Sequence, residues 1–303
     1  MFRSWRLVLL LALSVGIALP TEGRVLRVEI DRRVEVLDGR SFGDRGAYEL
    51  IEGRIYFAVD PGNAANDRIV DLERAPRDSM GRVRAWANFT VLQPVDPSQR
   101  SGVGLVEVSN RGGKFTLPYF NYATAPLSAS DPDAFGDGLL MEKGLTLIWV
   151  GWQWDVPRGE DNLRLRVPIA ERPDGSPLYG RVRSDWVPDD TAHVMALGHR
   201  DHFAYRAVNF DHPAHTLTVR PDRGAERRVV PRDQWSFARR DSTGVLVPDS
   251  THVHLKGGFE PGKIYEAVYR SKNPRVVGLG LAAIRDVVSY AKYNPDAPFP
   301  IDQ

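Results

Sequence analysis

The sequence contains no cysteine among its 303 residues. This absence excludes disulfide scaffolds, thiolate metal sites and cysteine nucleophiles. An excess of one charge sign is also missing, because 40 Lys and Arg residues stand against 39 Asp and Glu residues. No net field therefore draws the chain to nucleic acid or to acidic membranes. The composition, 42% hydrophobic and 26% charged, is that of an ordinary globular protein. Hydrolysis, ligand binding and metal chemistry with oxygen or nitrogen ligands remain open.

Long hydrophobic runs are missing as well, except for one at the N-terminus. Arg3 and Arg6 precede an apolar run at 7–19, and small or helix-breaking residues follow it. The run is shorter than the roughly 20 residues that a membrane-spanning helix needs. This layout predicts a secretory signal over 1–23 and a mature chain that is exported, either to the periplasm or to the exterior. The alternative is an uncleaved N-terminal anchor.

The hydrophobic pattern divides the mature chain into three segments, 24–151, 152–261 and 262–303. In the first, alternating stretches at 24–36, 48–59 and 83–92 predict strands. The runs at 103–108 and 145–150 do not alternate, which is typical of strands buried on both faces of a parallel sheet. With a predicted helix at 134–143 between them, these strands form a βαβ unit. We therefore predict an α/β fold for this segment.

The second and third segments have different patterns. The segment 152–261 holds all seven histidines and short alternating runs, which indicates a β-rich insertion or cap. The third segment begins with a predicted strand at 264–269. Apolar positions at helical spacing then predict a helix over 277–293.

A glycine-containing loop follows the first buried run. Asn110, Arg111, Gly112 and Gly113 form this loop. Consecutive glycines let a backbone turn sharply and direct its N–H groups at a ligand, which predicts an oxyanion-binding loop. The alternative is a tight turn without a function.

Aromatic and amide side chains follow the second buried run directly. Trp152, Gln153 and Trp154 lie there. Ligands of open sheets bind beyond the carboxyl ends of parallel strands, so these residues are predicted to line a substrate pocket. The alternative is that the aromatic rings only close the core.

Three motifs together resemble a known family: VSNRGGK at 108–114, GWQWDV at 151–156 and VVGLGLAAIRD at 276–286. This combination is similar to that of the large bacterial α/β-hydrolase-domain proteins, which are exported and esterase-like. The resemblance implies a small-molecule ester substrate, a serine nucleophile and no cofactor. It spans about 25–295 of this chain.

The motif that carries the nucleophile in such enzymes, G-x-S-x-G, is absent. The resemblance therefore implies an N-terminal part of the family's fold, an incomplete hydrolase-like sheet without nucleophile, acid or base. No catalytic residue is assigned, and we expect this chain alone to be inactive. In that fold the nucleophile strand would pair beside 103–108, so we expect an open edge there, completed by a partner chain or by a longer reading frame.

Histidine pairs allow an alternative. His199 and His202, His212 and His215, and His252 and His254 offer imidazole nitrogens, with Asp190, Asp201 and Asp211 nearby. The favoured interpretation is that they are scattered structural histidines in an Arg- and Asp-rich segment, so no metal ligand is assigned. The Arg–Asp clusters in this segment are expected to be solvated, and no nucleic-acid partner is predicted. The competing hypothesis is thus an exported, non-catalytic ligand- or metal-binding module, and a third is a remnant without activity.

Overall fold

The computed structural model describes residues 24–159, 161–198 and 202–302. The predicted secretory signal lies outside them, as do His199 and Asp201 of the metal hypothesis. Within these ranges, no helix combines the length and the apolar character that crossing a membrane would require.

The larger of two strand-rich regions is a mixed sheet, here called the main sheet. Its strands are β1 (Arg24–Glu35), β2 (Tyr48–Val59), β3 (Val83–Pro94), β4 (Gly104–Glu107), β5 (Thr146–Val150) and β6 (Leu165–Arg166). The order is β1-β2-β3-β5-β4, and β6 pairs with β3. Only β4 and β5 run parallel, while every other pair of this sheet is antiparallel.

Helices are few and mostly short in the described residues. They are α1 (Thr116–Asn121), α2 (Leu139–Glu142) and α3 (Leu279–Tyr293). The helix predicted over 277–293 is confirmed as α3. The helix predicted over 134–143 is reduced to the single turn of α2, because Gly136 and Gly138 adopt φ values of 56° and 80° that interrupt a right-handed helix.

The second strand-rich region, here called the β-rich region, consists of small antiparallel sheets. Its strands are β7 (Tyr179–Trp186), β8 (Ala192–Ala196), β9 (Thr216–Arg220), β10 (Arg228–Val229), β11 (Trp235–Ser236), β12 (Ala238–Arg240), β13 (Leu246–Pro248), β14 (His252–Phe259) and β15 (Ile264–Lys272). The sheets have the orders β10-β9-β15-β7, β11-β14-β8 and β12-β13. β15 thus pairs within this region, which extends past residue 261.

The α/β class predicted from the sequence is wrong, because the described residues form a β-rich fold with several antiparallel sheets. The parallel pair β4–β5 is real but isolated. Its connection, 108–145, holds only the short α-helices α1 and α2, so the described residues form no layers of crossover helices on both faces of the sheet. The incomplete hydrolase-like sheet that the resemblance implied is wrong for the same reason, because most strand pairs are antiparallel.

The centre of the main sheet is buried on both faces nonetheless, whereas its edge strand β1 is largely exposed. Ile148 and Val150 of β5 pack into a core that includes Ala283 and Val287 of α3, while Trp149 points into the opposite core. The prediction that 145–150 is buried on both faces is confirmed for β5. By contrast, β4 is only partly buried, because it is the last strand of the order. A third core, rich in aromatic side chains, lies in the β-rich region.

Candidate functional site

The ends of β4 and β5 bring two predicted site segments together. These strands are parallel and Glu107 pairs with Trp149, so the following loops leave the sheet at the same edge. The Arg111 amide donates to Gln153 Oε1 at 2.9 Å, and the Arg111 guanidinium donates to Asp155 Oδ2 at 2.7 Å. The structure therefore places Arg111 and Gln153, predicted separately, in direct contact.

The loop Asn110–Gly112 is held in a tight, left-handed turn. Arg111 and Gly112 have φ values of 54° and 80°. A Cβ atom on Gly112 would lie 2.6 Å from the Leu163 carbonyl oxygen, so only glycine fits without displacing the backbone. The backbone contacts that fix the loop also leave the Ser109 hydroxyl buried, with no hydrogen-bond partner among the described residues.

Two amides of the predicted oxyanion loop already donate hydrogen bonds. The Arg111 amide contacts Gln153, as above, and the Gly113 amide donates to the Asn110 carbonyl at 3.2 Å. An oxyanion needs donors that point at the reacting oxygen. In this conformation neither amide is offered to a ligand, so the oxyanion role stays a prediction that requires another donor or a shift of the loop.

The two tryptophans predicted to line a pocket serve packing. Trp152 donates from Nε1 to the Ser109 carbonyl at 2.6 Å and lies against the start of α3, where a Cβ on Gly280 would sit 2.0 Å from the Trp152 oxygen. The Trp154 ring faces Tyr205 of the β-rich region at 5.2 Å between centroids. These rings join the main sheet to its neighbours.

A pocket of about 570 Å³ begins where the loop ends, at Gly113. We call it the aromatic pocket. Apolar and aromatic side chains dominate its walls, and Lys114 contributes a cation. The residues used below are Lys114, Phe115, Leu117, Tyr119, Ala125 and Trp149. Trp152, Gln153 and Trp154 do not line it. A concave, mostly apolar site with a few polar groups is typical of small-molecule binding.

Glu107, at the end of β4, organises one side of this pocket. Its carboxylate accepts from Trp149 Nε1 at 2.5 Å, and from the amide and hydroxyl of Thr116 at 2.9 and 2.6 Å. It also accepts from the Phe115 amide at 3.0 Å. Charge-assisted hydrogen bonds of this kind are among the stronger ones. Glu107 therefore fixes the Trp149 ring and the start of α1 relative to each other.

Lys114 is the cationic group at the pocket. Its ammonium donates to the Asp161 carbonyl at 2.9 Å. Burial lowers the pKa of Lys114, while the charges of Glu52, Asp161 and Glu107 act in the opposite direction. With three donor positions on its ammonium, Lys114 has capacity for a ligand oxygen besides Asp161.

Sequence reasoning missed Glu107 and the walls of the aromatic pocket. Glu107 falls within the run at 103–108 that the sequence predicts as a buried strand, and a lone carboxylate in such a run is a usable signal. The pocket walls come from 115–127, whose aromatic and small residues show no regular period. Only the fold brings them onto Trp149.

The histidines of the β-rich region do not form a metal centre in the residues that the structure describes, where no group of three or more His, Asp or Glu side chains is close enough. His215 is structural: its Nε2 contacts the Asn209 carbonyl at 2.8 Å and its Nδ1 accepts the Arg270 amide at 3.1 Å.

A hydroxyl, an imidazole and a carboxylate do meet at Thr251, His252 and Asp249. Thr251 Oγ1 and Asp249 Oδ1 both lie 3.0 Å from His252 Nδ1. A hydrolytic triad needs the hydroxyl and the carboxylate on opposite ring nitrogens. This cluster is therefore not such a triad.

Comparison with known proteins adds no family to this geometry. No protein-family model matches the chain, and searches of curated proteins and of solved structures find no match. The function is therefore argued from the site.

Proposed function

We propose that this chain forms the substrate-binding part of an exported carboxylic-ester hydrolase. The observation that carries the proposal is the aromatic pocket, which starts at Gly113, where the loops after the two parallel strands converge. A reactive group bound there lies at the strand ends, and an apolar group fits the pocket beside it.

The composition of the pocket suits an ester better than a charged metabolite. Phe115, Leu117 and Trp149 offer apolar surface for an acyl or aryl group. Lys114 can donate to a carbonyl oxygen. Glu107 accepts from Trp149, Thr116 and Phe115 and is not among the residues that line the pocket, so it holds the pocket in shape and leaves the ligand to the apolar walls.

In this proposal the nucleophile is supplied by a further polypeptide segment, because none is assigned among the described residues. β4 is the edge of the main sheet in the described part of the chain, and Val103 and Val108 at its ends are exposed. An unpaired strand edge is a template for another strand. A segment pairing there would deliver its own end to the loop at Gly113.

A second function, non-catalytic ligand binding, is favoured by one observation. The Arg111 and Gly113 amides are engaged inside the loop, so the pocket as it stands can hold a ligand without activating it. The two functions share the pocket and differ in turnover.

Binding is tested with a ketone analogue of phenyl butyrate, in which a methylene replaces the bridging ester oxygen. Calorimetry on the wild-type chain should show saturable binding. Ala125→Trp fills the pocket and should weaken binding by about tenfold or more. Phe120→Ala is the matched control, because this exposed ring lies on α1 beside the pocket-lining Leu117 and Tyr119 but does not line the pocket, and the affinity of this variant should be unchanged.

Turnover is tested separately with 4-nitrophenyl butyrate. We expect the purified chain to bind the ester without hydrolysing it. The exported fraction of the source cell should hydrolyse it in a way that Ala125→Trp abolishes and Phe120→Ala leaves intact. Binding with no such dependent turnover would support the second function. Hydrolysis by the purified chain that His252→Ala removes would contradict both, since it would place catalysis in the β-rich region.

A further inference from the structure

A cleft in the β-rich region gathers arginine and histidine side chains from separate strands. Its volume is about 440 Å³, and we call it the basic cleft. The residues that line it are His193 and Val194 of β8, Arg239 and Arg240 of β12, and His252 of β14. No carboxylate is among these lining residues. The cleft is separate from the aromatic pocket, with which it shares no lining residue.

The nearest carboxylate, Asp249, is already saturated. It accepts from the Thr251 amide at 2.7 Å, from Thr251 Oγ1 at 2.6 Å, from His252 Nδ1 at 3.0 Å and from Arg239 Nε at 3.0 Å. Burial alone would raise the pKa of Asp249, but the hydrogen bonds from Thr251 and His252 outweigh it and hold the pKa well below its usual range. Asp249 thus stays ionised and positions the imidazole and one guanidinium.

This arrangement fixes the ring nitrogen that His252 presents. A carboxylate only accepts, so the proton of the neutral ring is on Nδ1, facing Asp249. The opposite nitrogen, Nε2, becomes a donor when the ring is protonated. Arg240 uses Nη1 to reach the Gly244 carbonyl at 2.7 Å, which orients its guanidinium and leaves capacity among its remaining N–H groups.

The positive charges of these groups also affect the pKa of a neighbouring side chain, His254. His254 is nearly buried on the same strand as His252. Burial lowers the pKa of His254, and the charges of Arg240, His193 and Lys256 lower it further. A cleft with such a field attracts anions.

We propose that the basic cleft binds a tetrahedral oxyanion, the phosphate group of inorganic phosphate or of a phosphate monoester. Guanidinium groups bind phosphate oxygens through paired N–H donors, and protonated imidazoles add charge-assisted hydrogen bonds. Arg239, Arg240, His193 and His252 supply both kinds of donor around one open cleft. The site holds its ligand independently of the ester-binding pocket.

Binding should weaken as the pH rises, because two of the donors are imidazoles. The titratable and charged groups around the cleft are His193 on β8; Arg239 and Arg240 on β12; Asp241 and Asp249 in the loops; and His252, His254 and Lys256 on β14. Asp241 accepts from the Thr243 and Val245 amides at 2.9 and 3.0 Å, so it is directed into its own turn. Imidazole is the side-chain group whose charge ordinarily changes between pH 5 and pH 8.

The experiment is calorimetric titration of the whole chain at low salt with inorganic phosphate and with phenyl phosphate. Both should bind, since the phosphate group is recognised. Arg240→Ala and His193→Ala should each weaken binding by about tenfold. The control is Arg183→Ala, which removes an equally exposed arginine paired with Asp185 and Glu266 on another sheet, and its affinity should stay within about twofold of wild type. Circular dichroism checks that each variant is folded.

A sulfate titration isolates the histidines, because sulfate keeps its charge between pH 5.5 and pH 8. We expect at least about threefold tighter binding at pH 5.5 in the wild type and a smaller dependence in His193→Ala. His193→Ala is included as a second variant because Arg240→Ala also removes the hydrogen bond from Arg240 to Gly244 in the β12–β13 turn, and its loss of binding could come from that change. The proposal would be overturned if phosphate showed no saturable binding, or if Arg183→Ala weakened phosphate binding as much as Arg240→Ala does. Sulfate affinity that does not change with pH would also overturn it.

Discussion

The main sheet and the β-rich region use the same kind of secondary structure for different surfaces. In the main sheet, β5 is buried along its whole length, and the pocket at its end is lined by aromatic side chains. In the β-rich region, β7 and β12 carry exposed arginines, and the cleft there is lined mainly by arginine and histidine side chains. A strand buried on both faces leaves only its end for function, whereas a strand covered on one side offers its exposed face. The first arrangement suits an apolar ligand and the second a charged one.

The largest expected effect tests whether the two regions have independent cores. Phe89 is 1% exposed and packs on Phe299 in the main sheet. Phe89→Ala should lower the free energy of unfolding by about 3–5 kcal/mol, because it leaves a cavity. Hydrogen exchange should show the loss in β2, β3 and β5, with amides of β14 and β15 less affected. Uniform loss of protection in both regions would mean one cooperative core and would break the comparison.

The next prediction compares two glycine-to-alanine variants, to distinguish the cost of a left-handed backbone from the cost of a steric clash. Gly112 and Gly175 have nearly equal φ values, 80° and 76°, but only Gly112 has backbone close to the missing Cβ. Gly175→Ala, in the β-rich region, should cost about 1 kcal/mol for its left-handed conformation. Gly112→Ala should cost at least about 2 kcal/mol and also weaken ketone binding in the aromatic pocket. Denaturant titration measures both. Equal costs would show that the Leu163 carbonyl moves away freely.

Removing a buried tyrosine hydroxyl should cost less stability, and Tyr48 of the main sheet can be compared with Tyr269 of the β-rich region. Tyr48 donates towards two carbonyls, of Met141 at 2.9 Å and Leu145 at 3.1 Å, while Tyr269 donates to that of Tyr205 at 2.8 Å. Burial raises the pKa of Tyr48 above its ordinary value and that of Tyr269 to about 12. Removing each hydroxyl with phenylalanine should cost about 1–3 kcal/mol, more for Tyr48. The reverse order in thermal denaturation would contradict this ranking.

The smallest effect depends on pH. Burial raises the pKa of Asp286 on α3, whose Oδ1 accepts from Arg285 while Oδ2 is buried with no partner among the described residues. A raised pKa means that the folded state binds the proton more tightly, so this stability is present at acid pH and is lost as the pH rises. Asp286→Asn should therefore gain stability relative to wild type at pH 8, by about 1 kcal/mol, and lose that advantage towards pH 4.

Asp96, an exposed carboxylate in the loop before β4, is the control for the direction of this pH dependence, because the pKa of Asp96 is shifted the opposite way. Hydrogen bonds from the Ser98 amide and hydroxyl lower the pKa of Asp96. Its contribution is present at neutral pH and disappears on acidification. Asp96→Asn should thus lose stability at pH 8 and become equal to wild type in acid. The same sign for both variants would mean that burial of Asp286 is not the cause.

Local patterns predicted some of these elements well. The apolar run of β5 and the helical spacing of α3 report burial directly, whereas Arg111 and Gln153 are predicted only as separate site residues and the fold brings them into contact. The helix expected over 134–143 failed because the φ values of Gly136 and Gly138 depend on close contacts; a Cβ on Gly136 would lie 1.8 Å from the Asn121 carbonyl oxygen. The predicted parallel sheet rests on the two apolar runs at 103–108 and 145–150 alone. Those two strands are parallel, but the other strand pairs of the described residues are antiparallel.

The candidate sites depend on contacts between residues far apart in the sequence. Glu107 contacts Trp149, which lies on another strand, and the basic cleft joins β12 and β14 to β8, which lies far from both in the sequence. No period or motif relates such residues. Their roles follow from the tertiary arrangement alone.

The most direct test of the account is a crystal structure of the chain with the ketone analogue of phenyl butyrate. The account predicts the aryl or acyl group against Trp149 and Leu117 in the aromatic pocket, with the ketone oxygen towards Lys114. A ligand held in the basic cleft, or against Trp154 and Tyr205 with the aromatic pocket empty, would contradict it.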